Sequence, residues 1–213
     1  MNIMLKLIVI LTLVLSATSA HAVSIINNFG LTSPGITIGF DEDLSIPTDT
    51  AITNQYESLG ITISPNLYQS NANGSLFPNI DNHNLGSSIS TNTVRPFTLQ
   101  FVNDQTEVAF AMVTNPGTTS FEAFLGTVPI ESFSTTTNPT NVNNFYGFKT
   151  NTVFDSIVVN VTPGTNGTMF MDNLQLGSAS SGEPIPEPTT LLLMGVGIAG
   201  LIGGAAGKKL KQK

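Results

Sequence analysis

Asp172 stands inside an apolar run, Thr168-Met-Phe-Met-Asp-Asn-Leu-Gln-Leu176. In a strand of period two, Phe170, Leu174 and Leu176 share its parity, so all four side chains are expected on the core face. A bare carboxylate there is very costly. It needs a cation or several donors. One answer is a structural Ca²⁺, a hard ion that prefers carboxylate and carbonyl oxygens. The others are backbone N–H groups at a bulge, or Arg95, the only arginine of the chain. His83 sits in the turn-rich stretch Asn79-Ile-Asp-Asn-His-Asn84, with Asp81 close in sequence. One histidine does not make a usual zinc site, and catalysis would need an oriented partner, so His83 reads as a solvated loop residue. No carboxylate pair is singled out for glycoside hydrolysis. Aromatic sugar platforms use Trp or Tyr. Trp is absent, and Tyr56, Tyr68 and Tyr146 are the tyrosines. Tyr68 is expected in a polar loop, residues 66–74, and is the candidate ligand-binding residue; Tyr56 is expected to be packed. With no cysteine, thiolate metal sites, Cys nucleophiles and disulfides are all excluded. The expectation is that the chain is not an enzyme and has no catalytic residues.

The elements that must position these residues are short strands. They are expected over residues 36–40, 60–63, 97–102, 107–113, 120–125, 128–133, 145–150, 154–161 and 168–176. Phe97, Leu99 and Phe101 alternate with polar residues, as do Ile157, Val159 and Val161, which is the pattern of half-buried strands. Leu125-Gly126-Thr127 reads as a tight hairpin. No stretch of the middle shows a helical stripe. The fold class is all-β: a two-sheet antiparallel sandwich of jelly-roll type, flanked by an N-terminal signal helix and a C-terminal transmembrane helix.

Charge sets the compartment. The chain carries seven Lys and Arg against fourteen Asp and Glu, net −7. Lys6 lies near the start, and Lys208, Lys209, Lys211 and Lys213 at the end, so Arg95 and Lys149 alone face all fourteen acids between, a net of −12. Such a surface repels phosphate backbones and excludes nucleic acid as a partner.

Residues 1–22 read as a secretory signal peptide. Lys6 gives the positive start, residues 7–15 the apolar core, and Ala20-His21-Ala22 the cleavage site, so that Val23 begins the mature chain. A retained anchor is the alternative. Residues 23–177 form the β domain, and residues 178–188 a linker ending in Pro186-Glu187-Pro188. Residues 189–206 contain no charge; at 1.5 Å per residue a helix there is roughly 27 Å long, close to the hydrocarbon core of a bilayer. Residues 207–213 are the basic tail, expected in the cytoplasm by the positive-inside rule.

Pro186-Glu187-Pro188, the apolar segment and the basic end, in that order, resemble the PEP-CTERM sorting tail of Gram-negative bacteria, also known as the ice-binding-protein C-terminal motif. The usual basic cluster is Arg-rich, and here it is all Lys. The resemblance implies an exosortase as a partner, beside the signal peptidase that the N-terminal cleavage site calls for. It further implies an inner-membrane intermediate held by the C-terminal helix, then transfer to the cell surface or extracellular matrix, often beside exopolysaccharide. A plain membrane anchor is the alternative.

Phe40-Asp41 with residues 52–56 and 60–63, Phe121-Glu-Ala-Phe124, and the series Phe145–Phe148, Phe154–Ile157 and Phe170–Leu174 resemble the β-sandwich ectodomains that often precede such tails. These look like carbohydrate-binding and galactose-binding-like jelly rolls. The resemblance implies a Ca²⁺ held between an early strand and the last one, with Asp41 as the early partner of Asp172 and with Glu42, Asp43 and Asn173 as further oxygens. The leading functional expectation is a non-catalytic surface or matrix protein associated with exopolysaccharide. A carbohydrate-binding module or adhesin comes second and a secreted hydrolase third.

Overall fold

The computed structural model describes residues 23–64, 66–71, 76–87, 94–163 and 167–177. The chain divides into two units, residues 1–179 and 180–213, and all described residues belong to the first. The expected signal helix, the linker and the transmembrane segment 189–206 lie outside the described residues. Among the described residues, no helix is long and apolar enough to cross a membrane.

The strands are β1 (Val23–Asn27), β2 (Pro34–Ile38), β3 (Ile61–Ile63), β4 (Tyr68–Ser70), β5 (Asn84–Gly86), β6 (Phe97–Thr114), β7 (Gly117–Leu125), β8 (Val128–Thr137), β9 (Phe145–Pro163) and β10 (Met169–Gly177). A short 3₁₀ turn covers Glu57–Leu59. Every strand pairing is antiparallel. Hydrogen bonding is continuous through one ten-stranded sheet, which two long strands fold into two layers. The first half of β6 pairs with β3 and with the second half of β9. Its second half pairs with β10 and with the first half of β9. The register shifts between Gln100 and Glu107, where both strands turn from one layer to the other, the usual device by which a strand switches sheets.

The first layer is therefore β3, β6, β9, β7 and β8, and the second is β4, β5, β10, β6, β9 and β1, with β2 beside β10. Aromatic rings from the two layers meet between them. Phe121 of β7 stacks on Tyr146 of β9 at 5.1 Å and lies 6.0 Å from Phe110 of β6. Phe133 of β8 meets Phe148 of β9 edge-on at 5.2 Å. The expected two-sheet antiparallel sandwich is thus present, closed by a main core that also holds Ile38, Phe97, Leu99, Ile157, Val159 and Met171. Two pairs of expected strands, 97–102 with 107–113 and 145–150 with 154–161, are each one continuous strand, and β1, β4 and β5 are additional. The expected hairpin forms: Leu125 pairs with Val128, and Gly126 takes φ +60°, a conformation open to glycine at no steric cost.

The centre of the second layer is buried on both faces. Ala109, Ala111 and Val113 point away from the sandwich into a smaller core with Leu31, Ile80 and Phe145. That explains the unbroken apolar run Val108–Val113, which lacks the polar alternation of a half-exposed strand. The covering segment on one side is pinned by Gln175, whose Oε1 accepts from the Leu31 N–H at 2.6 Å and whose Nε2 donates to the Phe29 carbonyl at 3.1 Å. Gly30 runs at φ +79° against Gln175, where a Cβ would collide with the amide.

Candidate functional site

Asp172 is fully buried, but on the covered side of β10 rather than in the sandwich. It pairs with Ala111, a residue of the smaller core, while Met171 pairs with Met112 of the main core. The register then shifts between Asp172 and Gln175, and Asn173 takes φ +50°. This bulge inserts one residue and inverts the parity, so Leu174 and Leu176 face the main core and Asp172 does not. The shared-face expectation for Phe170, Asp172, Leu174 and Leu176 is corrected for that reason.

The buried carboxylate is served by backbone donors. Asp172 Oδ2 accepts from the Asp81 N–H at 2.6 Å, and Oδ1 from the Asn173 N–H at 2.6 Å. Arg95 is exposed. Burial pushes the Asp172 carboxyl up to about 7, and the nearby Asp81 and Asp41 add to this, against the pull of the two N–H bonds. The surrounding loop is tied down by amides. Asn173 Nδ2 donates to the Asn79 carbonyl at 3.1 Å, Asn79 Nδ2 to Asn144 Oδ1 at 2.7 Å, and Asn144 Nδ2 to the Pro78 carbonyl at 2.6 Å. Asp172 thus anchors the 77–84 segment over the second layer. Sequence reasoning had no signal for this partner, ninety-one residues upstream.

Asp41 is exposed and follows Phe40, a buried residue at φ +58°. That left-handed conformation is uncommon for a bulky side chain and costs on the order of 1 kcal/mol or more. It is held by its carbonyl, which accepts from Tyr56 Oη at 2.9 Å and from Gln69 Nε2 at 3.4 Å, and by an edge-on Phe40–Tyr56 ring contact at 5.1 Å. Tyr56 is packed, as expected, and burial together with Glu42, Asp43, Asp41 and Asp172 raises its phenol well above the ordinary value. Glu42 Oε1 accepts from the Gly39 N–H at 2.8 Å, and Asp43 Oδ1 accepts from the Ser45 N–H at 3.0 Å. Ca²⁺ takes six to eight oxygens. Among the described residues, no group of three or more His, Asp or Glu converges on a point. Asp41 and Asp172 do not by themselves complete such a shell.

Tyr68 is not in a loop. It opens strand β4, pairs with Gly86 and is half-buried. The polar residues around it form a three-residue strand because β5 offers an edge to pair with. His83 takes φ +62° in its turn and is half-buried. Val23 begins β1; Ala20 and Ala22 lie outside the described residues, as do Pro186, Glu187 and Pro188.

A further surface was not visible in the sequence. The outer face of the first layer carries rows of small polar side chains. Thr118 lies between Thr136 and Thr162 across three strands, and Ser120 lies between Ser134 and Asn160 in the next row. Their strands read as unremarkable Ser- and Thr-rich segments until register aligns them.

Residues 184–209 match the family model of the PEP-CTERM protein-sorting motif. The chain carries that sorting motif. It marks the protein as exosortase-targeted and exported through a membrane-anchored intermediate. Pro186, Glu187 and Pro188 fall inside the matched stretch. No curated protein matches the chain. Among solved structures it is similar to two variants of a family 29 carbohydrate-binding module. Each is 14% identical and covers 78% of this chain, with 99% and 100% of the module covered and TM-scores of 0.32 and 0.33. A third structure of a family 29 module is 13% identical, with 78% and 98% covered and a TM-score of 0.31. A likeness this loose brings no ligand across.

Proposed function

We propose that this is a non-catalytic protein of the cell surface or extracellular matrix, delivered as a folded β-sandwich and released from its membrane tail by an exosortase. The observation that carries the reading is the sorting motif at residues 184–209, placed behind a domain with its own closed core. The acidic balance of the region between the two basic ends suits an exported, soluble domain. Signal peptidase acts first in this reading, after Ala22, and the exosortase acts at Pro186-Glu187-Pro188. The mature domain then sits among extracellular polysaccharide, with which it associates weakly. Deleting the host's exosortase tests the sorting step: the chain should accumulate as a longer form that sediments with inner membrane. Unchanged size and location would reject processing and leave a plain anchor.

A further inference from the structure

The two layers of the sandwich present unlike outer faces, and the outer face of the first layer is open. Thr118, Ser132, Ser134, Thr136 and Thr162 are exposed there, and no described element packs over them. Strand pairing puts the hydroxyls in register across β8, β7 and β9. Neighbouring rows are about 7 Å apart along a strand and neighbouring columns about 4.8 Å apart across strands. Phe124, half-buried, faces outward beside Ser156, and Glu122 lies two residues before it on the same face. These stretches of β3, β6, β7, β8 and β9 contain no Lys or Arg.

We propose that this open face is the polysaccharide-binding surface of the protein and that its ligand is an extended neutral glycan. The inference rests on the surface-protein reading above and gives it a site. Hydroxyl and amide side chains both donate and accept, which matches a polymer of hydroxyl groups. These strand stretches supply no cation to receive a uronate, sulfate or phosphate, and Glu122 repels them. The face also lacks the cluster of aromatic and Arg anchors around which a protein interface is built. Each neutral hydrogen bond exchanges with water for a small net gain, so binding is weak per sugar and grows with chain length. The Phe124 ring supplies an apolar patch for one pyranose face.

The test is native affinity electrophoresis of the full-length chain in detergent micelles. Gels are cast with hydroxyethylcellulose, galactomannan or polygalacturonate. Retardation is expected in at least one neutral gel and not in polygalacturonate. Ser134→Arg should weaken that retardation at least fivefold, and Thr37→Arg, an exposed site on β2 of the other layer, should leave it unchanged. Thr136→Arg replaces Ser134→Arg if the latter melts early. Equal retardation of the Ser134 and Thr37 variants overturns the site. Retardation by polygalacturonate alone overturns the ligand class. No retardation in either neutral gel overturns the proposal, as does ice shaping that Ser134→Arg abolishes without any polysaccharide effect. Because the unprocessed chain is used, each of these failures leaves the exosortase test untouched, and loss of processing in turn says nothing against the face.

Discussion

The outer faces of the two layers are built on opposite rules. Over the second layer, Ala109, Ala111 and Val113 look outward and are covered by Leu31 and Ile80, with Ile25, Phe77, Phe145 and Phe170 packed around them. Over the first layer, Thr118, Ser134 and Thr136 look outward into solvent. The same strand, β9, contributes to both: its opening stretch, Phe145–Phe148, is buried on each side, and its second half alternates. A face that is covered must satisfy the polar groups of its cover, and here Asp172 and Gln175 do so for the 77–84 and 28–31 segments. A face that is open has no such obligation and can be spent on a partner. The contrast predicts that substitutions on the covered side cost stability, while those on the open side cost only binding.

The largest effect is expected at Gly147. It pairs with Ala109 on one side and Ile25 on the other, and a Cβ there would run into the Val108 carbonyl and come within 2.7 Å of the Ala109 Cα. Neither neighbour is a flexible side chain. Gly147→Ala should cost about 3 kcal/mol through overpacking, which a thermal melt followed by circular dichroism would record as a drop of roughly 10 °C. A melt within a degree of wild type would mean that β6 and β9 can separate at Gly147 at little cost.

Asp172→Ala comes next. It strands the part-buried Asp81 and Asn173 N–H groups while removing a costly buried carboxylate, for a net loss of about 2 kcal/mol. The wild-type melt should be equal in calcium and in chelator at matched ionic strength, because the two backbone donors already serve the carboxylate. A chelator-sensitive gain, roughly 2.7 kcal/mol at a hundredfold excess of ion over Kd, would instead assign a Ca²⁺ to Asp41 and Asp172.

The same carboxylate gives the domain a pH dependence of fixed sign. Its folded pKa is raised to about 7, against about 3.9 in an unfolded chain. Between those values the folded state holds a proton that the unfolded state has lost, so stability falls as pH rises through that window. From pH 6 to pH 8 the contribution of Asp172 should drop by about 1.4 kcal/mol. Asp172→Asn, which does not titrate, should flatten that part of the profile. A profile that rises with pH, or one unchanged in the Asn variant, would contradict the assignment. The smallest effect belongs to the open face: Ser134→Ala and Thr118→Ala should each shift stability by no more than about 0.5 kcal/mol. A larger loss would show that something rests on those hydroxyls.

The strands that alternate, such as Phe97–Phe101 and Ile157–Val161, were legible in the sequence because one of their faces is buried and the other is not. The run Val108–Val113 was legible as a strand but not as the floor of a second core, since periodicity carries no mark of what lies above it. Asn103-Asp104 looked like a break between strands. Hydrogen bonding instead carries β6 through the bend, and polar residues suit a corner that is open to water. The costly burial of Asp172 was readable from its neighbours. Its side of the sheet was not, because the bulge at Asn173 is a backbone event that reverses parity after it. Tyr68 was assigned to a loop because β4 has only three residues and exists by pairing with β5. The hydroxyl rows of the open face needed register, which relates residues as far apart as Thr118 and Thr162. The sorting motif needed none of this: it is read along the chain, and its order of parts was enough.

Both ends of the protein can be tested at once by the intact mass of the chain recovered from the cell surface. Removal of residues 1–22 and of the segment beyond Pro186-Glu187-Pro188 predicts a mass that begins at Val23 and lacks residues 189–213. A surface form that begins at Met1 or retains the basic Lys208–Lys213 end would contradict export through a cleaved signal and release at the sorting motif.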